Sequence, residues 1–242
     1  MFSLGARLVA EGLGTAIMVI LGNGSVANVE LKGTKGNSAG WMVIAVGYGC
    51  GVMIPALLFG SISGNHINPA FTIGLAVSGL FPWAEVLPYI IVQMIGAIAG
   101  QAVVVAMYKP HYDITEDPEH ILGTFSTIDA TTSKLNGFIS EFVGSFILFF
   151  SALGITKAPF FQDNLGTAHL ALGFLVMTLV ASLGGPTGPA LNPARDLGPR
   201  LLHAILPLKH KGSSQWDYGW VPVLAPILAG IAGIALYKTV FL

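Results

Sequence analysis

Apolar residues run along this chain in six long blocks, at about 5–26, 40–62, 84–107, 136–156, 166–184 and 219–240, parted by shorter polar stretches. The hydrocarbon core of a bilayer, ~30 Å thick, takes about 20 apolar residues of helix, so each block predicts one crossing. Two further apolar segments, 69–78 and 193–202, are only about ten residues long. At ~1.5 Å per residue each reaches ~15 Å, half the distance. Gly33–Ser38 reads as a short polar turn, and His111–Lys134 as the longest polar loop, with a concentration of acidic residues. Trp41, Trp83, Trp216 and Trp220 fall at or just before the start of a block, where an interfacial aromatic belt would place them.

Composition agrees with the pattern. Of the 242 residues 53% are hydrophobic and 10% charged, and the mean hydropathy is +0.73. Those values indicate a polytopic membrane protein. A net charge of −1 without a basic run excludes a nucleic-acid surface. One cysteine, Cys50, excludes an intrachain disulfide or a multi-cysteine metal site. A cleaved signal peptide is disfavoured, because Glu11 lies inside the first apolar run. The 31 glycines predict close helix–helix approach.

The two short segments begin alike, with Asn68-Pro69-Ala70 and Asn192-Pro193-Ala194. Asparagine is a strong N-cap, and proline suits the first helical position, where its missing N–H costs nothing. Each segment therefore predicts a half-helix with its positive dipole end at the asparagine. The duplication extends further: Glu11-Gly-Leu-Gly14-Thr15 echoes Glu141-Phe-Val-Gly144-Ser145, and Ser63-Gly64 echoes Thr187-Gly188. Each half has three crossings and one half-helix. Three is odd, so the second half is inverted, and the two half-helices enter from opposite faces to meet near the midplane.

Two inverted Asn-Pro-Ala motifs, with Ser63-Gly64-x-His66 before the first and Arg195 after the second, resemble the major intrinsic protein (aquaporin) superfamily. The run Arg195-Asp196-Leu-Gly-Pro-Arg200 and Pro222-Val223 are similar to its glycerol-facilitator, or aquaglyceroporin, branch. The resemblance covers almost the whole chain. It implies an all-α membrane protein of six transmembrane helices and two re-entrant half-helices. This would form one channel domain over 1–242, with inverted repeats at about 5–107 and 136–240. It also implies a homotetramer in the lipid bilayer of the cell membrane, both termini cytoplasmic, and no cofactor. Asn68 and Asn192 would line the pore, and Tyr48, Val180, Pro189 and Arg195 would form the selectivity filter. Glycerol facilitators typically carry Trp, Gly, Phe and Arg at those four places. The Tyr/Val/Pro/Arg set here leans towards plant nodulin-like members.

The residues themselves add roles. An asparagine cap uses only its side-chain oxygen, which leaves the amide NH₂ to donate to a passing hydroxyl. Arg195 stands at the wrong end of a helix dipole, where a structural cation is costly at membrane depth, and this favours a pore role. Glu11 and Glu141, one per re-entrant loop, are read as acceptors for loop N–H groups that hydrocarbon cannot satisfy. His66 is read as a loop brace, and Asp196 and Arg200 as an i,i+4 ion pair steadying the loop that positions Arg195. His169 is read as a solvated interfacial side chain. Loop charge alone points to the opposite orientation, since Lys32, Lys35, Lys109, Lys134, Lys209 and Lys211 fall on the face the resemblance places outside.

The functional reading is a passive channel for glycerol, water and other small uncharged solutes that excludes protons and ions. It is not an enzyme. The alternatives are a pore for small protonated acids such as lactic acid or for hydrogen peroxide, a water-selective aquaporin, and an ion-coupled secondary transporter.

Overall fold

The computed structural model describes residues 2–242, and all ten elements among them are helices. Six are long and apolar enough to cross a membrane: α1 (Leu4–Glu30), α2 (Trp41–Ser63), α4 (Trp83–Ile114), α6 (Lys134–Lys157), α8 (Leu165–Leu183) and α10 (Val221–Phe241). Two are half-length, α3 (Pro69–Val77) and α9 (Pro193–Ile205), and α5 (Pro118–Gly123) and α7 (Pro159–Asp163) are short connectors. With six crossings, both chain ends lie on one face, together with the C-terminus of α3. The α1–α2 turn, the α4–α6 connection and the C-terminus of α9 lie on the other. We call these the terminal face and the loop face.

Local chemistry sets the ends of the half-helices. Asn68 caps α3 by accepting from Ala70 N at 3.0 Å, and Asn192 caps α9 by accepting from Ala194 N at 3.0 Å and Arg195 N at 3.3 Å. In both, proline fills the first helical position.

Packing repeats the sequence duplication. The pairs α1–α2 and α1–α4 have counterparts in α6–α8 and α6–α10, and α3–α10 has its counterpart in α9–α4. The halves join where α2 packs on α8 and α3 meets α9. Small residues allow the closest crossings. A Cβ on Gly100 of α4 would lie 2.6 Å from the Ala16 carbonyl of α1, and one on Gly74 of α3 would lie 2.8 Å from the Gly230 carbonyl of α10. Without a hydrophobic drive between helices in lipid, such van der Waals contact is what holds a bundle together. Large apolar side chains such as Leu87, Ile95 and Phe174 point outward, forming a surface that lipid would cover.

The polar segment from 111 onward differs from the expected open loop. α4 continues through Pro110 to Ile114, Lys109 and Asp113 pair one turn apart along it, and Tyr112 is buried against Phe125. α5 follows, capped by Asp117, which accepts from Glu119 N at 2.8 Å. The ring of Tyr112 has an apolar pocket to fill, so the helix persists where polarity alone signals its end. α9 likewise runs three residues beyond the expected 202.

Candidate functional site

Each half-helix is entered by a stretch of non-helical backbone that bends sharply. Gly64 and Gly188 have φ of 88° and 66°, and Ile67 and Leu191 have φ of 41° and 51°. For a β-branched residue such as Ile67 this is a true outlier, costing on the order of 1–3 kcal/mol unless its surroundings hold it.

They do, in the same way in both halves. Ile67 N donates to Glu11 Oε2 at 2.7 Å, and its carbonyl accepts from Asn192 Nδ2 at 2.8 Å. Leu191 N donates to Glu141 Oε2 at 2.9 Å, and its carbonyl accepts from Asn68 Nδ2 at 2.8 Å. Each strained residue is thus clamped at its N–H by its own half and at its C=O by the other half. The glutamates do more. Glu11 also accepts from His66 N (2.8 Å), Ser63 Oγ (2.7 Å) and Gln93 Nε2 (2.9 Å). Glu141 accepts from Ala190 N (2.8 Å) and Thr187 Oγ1 (2.9 Å). Both carboxylates are fully buried.

The asparagine amides therefore depart from the simple expectation. Their NH₂ groups are not wholly free, because one N–H of each bonds the carbonyl before the opposite motif. The cap geometry was legible in the sequence. The cross-bond was not, because its acceptor is a backbone atom of the other half.

Four cavities lie in a row around these residues. One of about 200 Å³ opens on the loop face, lined by Glu30, Trp41, Glu119, His120 and Thr127 among others. It shares Tyr48, Val180, Pro189 and Arg195, and no other residue, with a cavity of about 50 Å³. That one shares Asn68, Asn192, Met18, Val52, Leu148 and Val176 with a cavity of about 80 Å³. The last, about 260 Å³, continues from there past Asn65, His66 and Thr156 to Lys157 and His169 at the terminal face. A file of adjoining cavities thus runs between the two faces, with four side chains at the first junction and two asparagines at the next.

At the first narrowing Arg195 lies with its guanidinium carbon 4.9 Å from the Tyr48 ring centroid. Its Nη1 donates to the Phe125 carbonyl at 3.0 Å, and its Nε is buried without a partner. The carbonyl of Val180 accepts from Trp41 Nε1 at 2.8 Å, which ties α8 to the start of α2.

The comparisons with known proteins agree with this geometry. The chain matches the major intrinsic protein family over residues 2–237. It belongs to that family. It is 57% identical over 242 residues to the glycerol uptake facilitator protein-like 5 of Lactiplantibacillus plantarum, covering 98% of this chain and 97% of that one. It is 49% identical over 283 residues to the glycerol facilitator-aquaporin of Lactococcus lactis, covering 98% of each. Among solved structures it is similar to the aquaglyceroporin from Plasmodium falciparum, with a TM-score of 0.85, 27% identity and coverage of 98% and 97%. With six spanning helices, this member of the family is a multi-pass membrane protein of the cell membrane.

Beside the file lies a second buried polar group. Arg200 Nε donates to Asp196 Oδ1 at 2.8 Å and Nη2 to Oδ2 at 3.1 Å, with both side chains fully buried. Asp196 Oδ2 also accepts from Thr127 N (2.8 Å) and Oγ1 (2.7 Å), while Arg200 reaches the carbonyls of Thr127 and Ser214. The pair thereby fixes Thr127, two residues from the carbonyl that receives Arg195. His203 continues this group at the far end of α9. Its Nδ1 meets Ser214 Oγ at 2.8 Å, its Nε2 meets the Lys211 carbonyl at 3.1 Å, and its ring packs edge-on against Phe125. Burial, with the Lys211 ammonium nearby, pushes its pKa down to about 4.

Two histidines flank the terminal-face opening. His66 holds Thr72 Oγ1 at 3.1 Å within a cage of Phe71, Phe81 and Tyr89. His169, read as a solvated interfacial residue, stands at that face but is only partly exposed. It is half-buried against Gly60 and lines the 260 Å³ cavity, because glycine at position 60 leaves room for its ring on α2.

Two outcomes are expected. Asp196→Ala leaves Arg200 buried without its carboxylate and destabilises by about 3–5 kcal/mol, more than replacing both residues together by leucine. Unfolding in detergent of the single and double variants measures this. For His203 the folded pKa lies below the ordinary 6.5, so the unfolded chain takes up its proton first as pH falls. The contribution to stability is therefore complete above about 6.5 and shrinks as pH drops towards about 4. A thermal-unfolding series across that range should be flatter for His203→Asn than for the parent.

Proposed function

We propose that this chain is a passive channel for glycerol and similarly small uncharged solutes together with water, acting as a homotetramer in the bilayer. The observation that carries the reading is the file of adjoining cavities between the faces, which meet at Tyr48, Val180, Pro189 and Arg195 and then at Asn68 and Asn192. Relatives named as glycerol facilitators support the choice of solute.

In this reading the four narrowing residues are the selectivity filter. A polyol has a hydroxyl edge and a carbon edge. Arg195 offers N–H donors to the first, and the Tyr48 ring, Val180 and Pro189 shelter the second. Deeper in, the second N–H of Asn68 and the loop carbonyls take over the hydroxyls, opposite Val52, Leu148 and Val176. Cations and protons meet Arg195 and then the positive ends of both half-helices, a fixed electrostatic barrier. Glu11 and Glu141, the buried acids behind the two re-entrant loops, are occupied by loop donors, so neither is available to carry a coupling ion. That disfavours an ion-coupled transporter.

Stopped-flow light scattering on proteoliposomes tests the function, with faster glycerol and water entry than in empty vesicles as the expected result. Arg195→Ala should raise cation leak by about tenfold or more, equivalent to removing roughly 1.4 kcal/mol of barrier. An unchanged leak would remove Arg195 from the filter. Val180→His adds a bulky polar group to the wall meant for the carbon edge, and the glycerol-to-water permeability ratio should fall about tenfold. A ratio equal to or above the parent's would show that Val180 does not face the solute.

A further inference from the structure

Tyr48 is the one filter residue with two chemistries, an apolar ring and a hydroxyl, and what a solute meets depends on which of them faces the file. The hydroxyl is turned away. It donates to Asn23 Oδ1 of α1, and both residues are buried. Asn23 Nδ2 donates to Gln101 Oε1 of α4 at 2.6 Å and to the Phe125 carbonyl at 3.1 Å. That carbonyl is also the acceptor of Arg195 Nη1. A carbonyl can only accept, so the Asn23 atom facing it is the nitrogen, and the oxygen is left for Tyr48. Gly22 completes the seat: a Cβ there would lie 2.7 Å from Tyr48 Cζ, so only glycine lets the ring sink against α1.

We infer that Asn23, a residue outside the file, is a specificity-determining positioning residue that holds the Tyr48 hydroxyl out of the pore and so makes Tyr48 an apolar wall. This rests on the reading of Tyr48, Val180, Pro189 and Arg195 as the filter. The same amide shares an acceptor with Arg195, so one side chain orients the carbon-facing wall and adjoins the support of the hydroxyl-facing one. An asparagine fully buried among apolar helices is retained only where its hydrogen bonds are met. Two of its three partners here are a filter residue and a filter support, the Tyr48 hydroxyl and the Phe125 carbonyl that also receives Arg195, and the third is Gln101. Without Asn23 the buried hydroxyl loses its acceptor, and the nearest place to recover one is the water-filled file.

The test compares Asn23→Leu, Tyr48→Phe and the double variant in proteoliposomes, reading the glycerol-to-water permeability ratio with Val180→His alongside. Asn23→Leu should lower the ratio by about threefold to tenfold, the effect of one added hydrogen-bonding group in the wall. In a Tyr48→Phe background Asn23→Leu should have no further effect on the ratio, because no hydroxyl is left to release. If Asn23→Leu does not reach the membrane, Asn23→Ser, too short to reach the hydroxyl, should give the same fall and the same cancellation. An equal fall with and without the hydroxyl would overturn the inference. If Val180→His responds while the Asn23 variants do not, the inference fails and the filter reading stands. If none responds, the filter reading itself is wrong.

Discussion

The reciprocal clamp on Ile67 and Leu191 is the constraint on which the rest of this structure depends. Hydrocarbon offers no partner to a backbone N–H or C=O, so a chain that leaves its helix at membrane depth must find every partner within the protein. Two loops here do so at the same depth, and each supplies what the other lacks. Glu11 and Glu141 absorb the N–H groups, and the asparagine of each motif absorbs the carbonyl that precedes the other. Neither half can satisfy its own strained residue, so the inverted repeat is a chemical requirement of the centre as well as an architecture.

The clamp also determines what is left for a solute. An asparagine has one acceptor oxygen and two donor hydrogens. Its oxygen is used by the helix cap and one hydrogen by the opposite carbonyl, so little beyond a single N–H remains to face the file. At Asn192 even that hydrogen has a weak partner, with Met18 Sδ at 3.6 Å from Nδ2. The two halves therefore differ at the centre. Asn68 is the better donor, although the sequence motif is identical in both halves.

Much of this was legible from the chain alone, for reasons that can be named. Apolar block length predicted the crossings, and the Asn-Pro pairs predicted the starts of the half-helices, because capping depends on neighbours one turn away. The boundary of α4 was not legible, since it depends on a pocket for Tyr112 built by Phe125. Side chains that count equally in a loop-charge tally are not equally free. Lys109 pairs with Asp113, Lys134 with Asp217, and Lys211 caps the last carbonyls of α9. Asn23 and Gln101 were missed although a signal existed. Helices α1 and α4 run the same way, so their facing residues keep a constant offset. Arg7 meets Glu85 and Asn23 meets Gln101, both 78 positions on. Polar residues at one fixed offset in two apolar blocks mark facing pairs, and a search restricted to the motifs passes over them.

A guanidinium in the first turn of a helix, as at Arg195, opposes the dipole, and a protein seeking only stability would place a carboxylate beside it. A carboxylate does stand beside it, since Asp196 is the next residue, but Arg200 holds both its oxygens. Among the described residues Arg195 finds a single acceptor, the neutral carbonyl of Phe125. The buried Asp196–Arg200 pair thus does two things at once. It anchors Thr127 and with it the segment bearing that carbonyl, and it keeps the adjacent negative charge occupied. The positive charge at the narrowing consequently has no carboxylate partner of its own. In a low-dielectric setting that is the condition under which one arginine can turn back cations while its open N–H groups remain available to a hydroxyl.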